Sequence, residues 1–141
     1  MTTHRAILLV EDNEDDAFFM QRAFQRAGLK NPLHIVTDGE QAIEYLSGQS
    51  GFSDRDKYPL PDMIFLDLKM PGLNGFDVLR WIRNDRKSNV HVAVLTSSPE
   101  EIDRRKAREL GADCYLLKPP EPGMVLNCCK LFDLNCHTQA P

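Results

Sequence analysis

An open, doubly wound α/β fold is the architecture that the sequence predicts. Short apolar runs alternate five times with longer segments of helical periodicity, and this alternation is typical of a parallel sheet whose crossover connections are helices. Most of the runs are almost continuously apolar, as expected for strands that are covered on both faces. Because a closed barrel of this kind needs about eight strand–helix units, five units favour an open sheet with helices on both sides.

The five apolar runs are the predicted strands, and only the second of them is not almost continuously apolar. They are Ala6–Val10, Leu33–Thr37, Met63–Leu66, His91–Thr96 and Cys114–Leu117. The predicted helices are Glu14–Ala27, Gly39–Leu46, Gly75–Asn84, Pro99–Leu110 and Glu121–Leu134. The first helix has the clearest pattern, since its apolar residues keep to one side, acidic residues open it and Gly28 follows it. Five aromatic residues are expected to pack in the core or between helices: Phe18, Phe19, Phe24, Phe65 and Trp81.

Length and composition predict a single globular domain over residues 1–141. The chain is 42% hydrophobic and 27% charged, which is typical of folded rather than disordered proteins. Its net charge of −4 argues against direct nucleic-acid binding, which normally requires a basic surface. The apolar run near the N-terminus is too short for a signal peptide or a membrane span, so no membrane contact and a cytoplasmic location are expected.

Two features have less specific interpretations. The segment Ser47–Pro61 is a long connection rich in Gly, Ser, Asp and Pro, and connections of this length are often functional or mobile. The four cysteines, Cys114, Cys128, Cys129 and Cys136, are expected to be reduced thiols. A metal site built from the last three with His137 is the alternative, although their spacing matches no standard zinc pattern.

Polar residues stand at the ends of four predicted strands. Glu11 and Asp12 follow the first, Asp67 follows the third, Thr96 ends the fourth and Lys118 follows the fifth. Ligands of open α/β sheets bind at the carboxyl ends of the strands. Carboxylates gathered there repel one another unless a cation balances them, and Mg²⁺ prefers such oxygen ligands. A phosphoryl group on Asp67 would then find Lys118 and Thr96 for its other oxygens, so the set predicts phosphoryl transfer.

Each of these residues also has a structural interpretation when taken alone. An aspartate after a strand is usually a turn or cap residue, a threonine at a strand end is common, and a lysine is usually on the solvated surface. Their joint placement at one edge of the sheet favours the functional interpretation.

Four motifs carry a resemblance to a known family. They are LLVEDN at 8–13, LDLKMPGLNG at 66–75, LTS at 95–97 and LKP at 117–119. In this order, and each at a strand end, they resemble the receiver domains of two-component response regulators over about residues 5–134. The resemblance implies a flavodoxin-like sheet of five parallel strands in the order 2-1-3-4-5, with five helices.

The resemblance also implies a role for each residue at the sheet edge. Asp67 resembles the phosphoacceptor, and Glu11 with Asp12 resembles the acidic pair that binds Mg²⁺ together with Asp67. The third protein ligand of the metal would be the backbone carbonyl of Lys69. The spacing around Met70-Pro71-Gly72 predicts a tight turn beside the acceptor.

The remaining roles concern the phosphoryl group and the output of the switch. Thr96 and Lys118 resemble the residues that bind the phosphoryl oxygens, and the Lys118–Pro119 bond resembles one that is cis in the family. Tyr115 resembles the aromatic switch residue, with a half-buried strand tyrosine as the alternative interpretation.

A sensor histidine kinase is the partner that the resemblance implies. The long Ser47–Pro61 connection, and the expectation that no output domain follows Leu134, resemble small receivers paired with phytochrome-like kinases. Output is then expected through protein contacts on the face formed by Pro99–Leu110, Cys114–Leu117 and Glu121–Leu134, including a possible homodimer.

Two other functions stay open at this point. A dehalogenase-type phosphatase also uses an aspartate nucleophile, Mg²⁺ and a lysine, but it needs a second Asp where this chain has Lys69; the chain is therefore predicted not to be an enzyme. A module that keeps the fold and never takes phosphate is the other alternative, and the complete set of polar residues argues against it.

Overall fold

A computed structural model describes residues 5–132 of the chain. The strands are β1 (Ile7–Val10), β2 (Leu33–Val36), β3 (Met63–Asp67), β4 (His91–Thr96) and β5 (Cys114–Leu117). The helices are α1 (Glu14–Arg26), α2 (Gly39–Ser47), α3 (Gly75–Arg80), α4 (Glu101–Glu109) and α5 (Pro122–Leu131). All strand pairs are parallel, and the sheet order is β2-β1-β3-β4-β5. The predicted flavodoxin-like fold is confirmed.

The boundaries of all five helices differ from the sequence prediction by one residue or more. The third helix is α-helical only to Arg80 and continues as a π-helical turn over Trp81–Asp85. The fourth begins at Glu101 rather than at Pro99, because Glu100 has an extended backbone and serves as its N-cap. Ser47 belongs to α2, which ends at Gly48 with a φ of 71°, a conformation that glycine adopts without steric cost.

Two apolar layers cover the sheet. Helices α1 and α5 pack on one face. There the ring of Phe24 in α1 packs edge-to-face on Phe65 of β3, with 5.8 Å between the ring centroids. Helices α2, α3 and α4 pack on the other face. Side chains of β1 and β3 alternate between the two layers and are fully buried, as expected for central strands of a doubly wound sheet.

The burial predictions were wrong at the outer strand β5 and at two aromatic residues of α1. The run of β5 reads as a strand covered on both faces, yet Leu117 is 43% exposed and Tyr115 is only half-buried, because β5 is an outer strand of the sheet. Phe18 and Phe19, expected in the core or between helices, lie on the exposed side of α1 at 51% and 49% exposure. The other predicted core aromatics, Phe24, Phe65 and Trp81, are buried or half-buried.

Hydrogen bonds and aromatic contacts hold the long connection before β3 against the rest of the domain. The guanidinium of Arg55 donates hydrogen bonds to the carbonyls of Tyr45, Leu46 and Tyr58 at 2.9, 3.1 and 3.2 Å. The carbonyls of Tyr45 and Leu46 lie in the last turn of α2, where backbone carbonyls lack the usual helical partner four residues on, and that of Tyr45 also accepts from the N–H of Gly48 at 3.2 Å. The ring of Phe52 packs against Tyr45 and Tyr58 at centroid distances of 5.1 and 5.0 Å. One side chain thus caps a helix and fixes the loop.

The predictions about membrane spans, cysteines and the last helix can be compared with the described residues only in part. In the described part, no helix is long and apolar enough to cross a membrane. Cys114, Cys128 and Cys129 are free thiols, whereas Cys136 and His137 of the alternative metal site lie outside the described residues. The predicted end of the last helix at Leu134 also lies outside them.

Candidate functional site

The register of the sheet brings the predicted site residues to one edge. Val10 pairs with Leu66, Asp67 with Leu95 and Thr96 with Leu117, so the residues that end or follow these strands are neighbours at their carboxyl ends. Glu11, Asp67 and Thr96 are almost fully buried there, while Asp12 is exposed. The site therefore has a closed interior and one acidic side chain at its mouth.

Three carboxylates form the acidic part of the site. One oxygen each of Glu11, Asp12 and Asp67 lies within 4.8 Å of the others. The Oε1 atom of Glu11 is fully buried and makes no well-aligned hydrogen bond, although it lies 2.7 Å from the ammonium of Lys118. An all-oxygen donor set with a buried, incompletely satisfied atom fits a hard divalent cation such as Mg²⁺.

Lys118 supplies the positive charge of the site. Its Nζ atom lies 2.7 Å from Glu11, 3.0 Å from Asp16 and 3.4 Å from Asp67. Burial lowers the pKa of Lys118, but the hydrogen bonds with Glu11 and Asp16 and the charge of Asp67 outweigh burial and raise it above the ordinary value. Lys118 therefore stays protonated and supplies one positive charge against the three carboxylates around it.

Asp16 is the residue of the site that sequence reasoning missed. It reads as one of three acidic residues that suit a helix N-terminus, and Asn13 does accept a hydrogen bond from its backbone N–H at 2.9 Å. Its side chain, however, points from the first turn of α1 to Lys118. The signal in the sequence is the position of Asp16 in the first turn of the helix that directly follows Glu11 and Asp12, because this turn starts at the same edge of the sheet.

Burial and charge together perturb the central carboxyl. Burial, followed by the nearby charge of Glu11 and a hydrogen bond with it, raises the pKa of Asp67 to about 7. The ammonium of Lys118 and the backbone N–H of Lys69, which donates to Oδ1 at 3.2 Å, act in the opposite direction. A cation next to Asp67 would remove the repulsion from Glu11 and favour the ionised form that a nucleophile needs.

Thr96 and Tyr115 are connected through one residue of the loop that follows β4. The Thr96 hydroxyl accepts a hydrogen bond from the backbone N–H of Ser98 at 3.2 Å. The Tyr115 hydroxyl donates to the carbonyl of Ser98 at 3.0 Å. The ring of Tyr115 packs against a small cluster that contains Val94 and Ala107, with the guanidinium of Arg104 5.1 Å from its centroid. A shift of Thr96 would therefore reach Tyr115 through Ser98.

Comparison with known proteins identifies the family. The sequence matches the response regulator receiver domain over residues 7–129. The chain belongs to the response regulator receiver family. Its relatives include single-domain phytochrome response regulators, and receiver domains are components of two-component signalling systems rather than classical enzymes.

Three relatives are similar to this receiver over most of its length. The probable methanogenesis regulatory protein FilR2 of Methanothrix harundinacea is 39% identical over 114 residues, which cover 80% of this chain and 71% of that protein. Response regulator Rcp1 of Synechocystis is 35% identical over 115 residues, 81% of this chain and 76% of that protein. Its Mn²⁺-bound crystal structure superposes with a TM-score of 0.75, at 32% identity, covering 97% of this chain and 99% of that one.

The third relative is the bacteriophytochrome response regulator AtBRR. Its structure has a TM-score of 0.82 and 31% sequence identity, and the alignment covers 99% of both chains. The alignment therefore includes all five strands of this chain and the sheet edge at which its acidic residues lie.

The turn after Asp67 brings α3 close to the end of β3. Asn74 and Asp77 form a reciprocal capping box at the start of α3, and the N–H of Gly75 donates to the carbonyl of Leu68 at 2.9 Å. A Cβ atom on Gly75 would collide with the backbone carbonyl of Asp67. Gly72 in the predicted turn has a φ of 72°, and the Lys118–Pro119 bond is cis as predicted.

We expect Gly75→Ala to destabilise the receiver by about 2 kcal/mol or more, because backbone rather than a flexible side chain must move to admit the methyl group. Gly123→Ala in the first turn of α5 is the matched control, since no atom lies within 4 Å of its Cβ position. Urea unfolding of both variants checks the prediction. Equal stability of the two would show that α3 can move away from Asp67 at little cost.

Proposed function

We propose that this receiver accepts a phosphoryl group on Asp67 from a sensor histidine kinase, with Mg²⁺ bound, and signals through protein contacts. One observation carries the proposal. Asp67 is a buried carboxylate at the end of the central strand, 3.4 Å from the Lys118 ammonium, with oxygens of two further acidic side chains within 4.8 Å. Few other arrangements would gather three carboxylates and a lysine around one strand end.

The metal would be held by the carboxylates of Glu11, Asp12 and Asp67 and by the backbone carbonyl of Lys69. When bound, Mg²⁺ would neutralise the acidic side chains and the charge that develops on the transferred phosphoryl oxygens. The nucleophile would be an oxygen of Asp67, which forms an acyl phosphate as the bond from phosphorus to the donor nitrogen breaks. Lys118 and the Thr96 hydroxyl would contact the equatorial oxygens and so stabilise the product.

Catalytic turnover of a separate phosphorylated substrate is not supported by the residues near Asp67. Phosphatases of the dehalogenase type place an acid/base aspartate two residues after the nucleophile, and the side chain of Lys69 stands there, exposed to solvent. No carboxylate in this position can activate a water molecule. The proposed chain therefore carries the phosphoryl group as a signal and is not an enzyme that turns over substrate.

A small phosphodonor tests the proposal directly. Incubation of the protein with acetyl phosphate should add one phosphoryl mass in the presence of Mg²⁺ and almost none after chelation.

Asp12→Ala should weaken Mg²⁺ binding by roughly tenfold or more, since it removes one of the few carboxylates of a partial cage. Glu14→Ala, an exposed acidic neighbour on α1, is the control. Equal Mg²⁺ affinity of the two variants would contradict the metal role of Asp12.

Similarity to Rcp1 and to a bacteriophytochrome response regulator supports a phytochrome-like kinase as partner. The single domain proposed for residues 1–141 would then act in the cytoplasm without direct nucleic-acid contact. Its output would depend on a surface that phosphorylation changes, since such modifications act by a local change of charge and packing that a partner can detect.

That surface is proposed to be the face of α4, β5 and α5. Four apolar side chains on these elements are strongly exposed: Ile102, Leu117, Met124 and Leu131. Exposed apolar groups of this size on neighbouring elements favour a protein contact, including a homodimer. Tyr115 lies in β5, the one strand of the face. Movement of Thr96 toward a phosphoryl group would disturb the hydrogen bond between Thr96 and Ser98, and through Ser98 the hydrogen bond of the Tyr115 hydroxyl.

Phosphorylation is expected to change self-association or partner binding through Tyr115. Sedimentation with and without phosphorylation should show a larger shift for the wild type than for Tyr115→Phe, which removes only the hydrogen bond of the hydroxyl to Ser98. Tyr58→Phe in the long loop is the control. Identical shifts in wild type and Tyr115→Phe would remove the hydroxyl of Tyr115 from the switch.

A further inference from the structure

Two cysteines meet where the outer strand of the sheet contacts the last helix. Cys114 opens β5 and is half-buried, and Cys128 lies in α5 and is buried. Because side chains alternate along a strand, Cys114 and Leu116 face α5 while Tyr115 faces α4. Both cysteines line one surface cavity of about 260 Å³, together with Met124, Asn127 and Leu131.

The two thiols are chemically unequal. The thiol of Cys128 donates a hydrogen bond to the sulfur of Cys114, and this bond lowers the pKa of Cys114 to about 7 despite its burial. The same hydrogen bond and burial raise the pKa of Cys128 above its ordinary value. A thiolate is the reactive form of cysteine toward oxidants, so Cys114 is the nucleophile of the pair and Cys128 keeps its proton.

The cavity gives a small oxidant access to the pair. Cys114 is the more exposed of the two residues, and the cavity reaches both of them from the surface. A nucleophilic cysteine with a second thiol in contact is the arrangement of reversible redox pairs, in which the second thiol resolves the first oxidation product. Neither residue takes part in the phosphoryl site proposed above.

We propose that Cys114 and Cys128 form a reversible intramolecular disulfide when the protein meets a peroxide. The Cys114 thiolate attacks one peroxide oxygen, the O–O bond breaks, and a sulfenic acid and hydroxide form. The Cys128 sulfur then attacks the sulfenic sulfur, its proton leaves with the sulfenic hydroxyl as water, and the S–S bond closes. Two electrons pass from the thiols to the peroxide, and a dithiol reductant reverses the change.

A disulfide here would fix β5 to α5 next to the proposed switch residue. Cys114 immediately precedes Tyr115 in β5, and Cys128 is one helical turn from Met124 on the exposed face. Oxidation would thus restrain the same face through which output is proposed, by a modification that does not consume the phosphoacceptor.

Peroxide treatment of the full chain, followed by intact-mass and peptide analysis without reductant, tests the inference. We expect the loss of two hydrogens, recovery of the original mass after dithiothreitol, and a chymotryptic peptide containing Cys114 joined to one containing Cys128. Chymotrypsin cuts between the two positions, so the link is read directly in the wild type. Cys114→Ala and Cys128→Ala should abolish the link, whereas Cys129→Ala and Cys136→Ser should retain it.

Three results would overturn the inference. One is a link that persists in Cys128→Ala, which would assign the second sulfur to another cysteine. Another is oxygen addition at Cys114 without disulfide formation. The third is a link that appears only between two chains, seen as a dimer on non-reducing electrophoresis.

Discussion

Asp67→Asn should abolish phosphorylation by acetyl phosphate in the presence of Mg²⁺, with no added phosphoryl mass under conditions that label the wild type fully. The amide is nearly the same size as the carboxyl, so the packing of β3 against β1 and β4 is preserved. It cannot form an acyl phosphate, because its nitrogen is not a nucleophile and its single oxygen carries no charge. The expected loss is complete rather than partial.

A matched control lies just before the same strand. Asp62 directly precedes β3 at the opposite end and is exposed, so Asp62→Asn removes an identical charge without touching the site. It should be labelled as fast as the wild type. Full labelling of Asp67→Asn at another acidic residue, such as Asp12, would contradict the assignment of Asp67 as the phosphoacceptor.

The common location of the site residues could be predicted because it follows from topology. Parallel strands end at one edge, so residues at the ends of β1, β3, β4 and β5 had to be neighbours once the alternation of strands and helices was established. The resemblance then supplied the strand order, which periodicity alone does not contain. The roles of Glu11, Asp67 and Lys118 depend only on these two facts.

Features that depend on the direction of a side chain or on the position of a strand were missed. Asp16 contacts Lys118 at 3.0 Å although 102 positions separate them in the sequence, and the direction of the Asp16 side chain is not contained in any local pattern. The exposure of β5 follows from its place at the sheet edge, although its apolar composition resembles that of a central strand. Arg55 caps α2 across a long loop, a contact that no local pattern predicts.

Asp67→Asn should also make the metal-free protein more stable at neutral and alkaline pH. The pKa of Asp67 is raised from 3.8 to about 7 in the folded state, by burial and then by the charge of Glu11. The folded chain therefore holds this proton more tightly than the unfolded chain does, and stability is lost as pH rises from the unfolded pKa through the folded one. Above pH 7 the ionised carboxylate destabilises the folded state relative to the protonated form, and the neutral amide avoids this cost.

The stability difference between the variant and the wild type should accordingly grow with pH. Urea unfolding in the presence of a chelator, at about pH 4.5 and about pH 8, should give similar free energies of unfolding at the lower pH and a clear advantage for Asp67→Asn at the higher one. Asp62→Asn should show no such change, since its carboxyl is exposed. Added Mg²⁺ should stabilise the wild type at pH 8 and narrow the gap, because ligand binding favours the state that binds it. A difference that stays constant from acid to alkaline pH would mean that Asp67 is ionised throughout and that Lys118 alone compensates for the repulsion from Glu11.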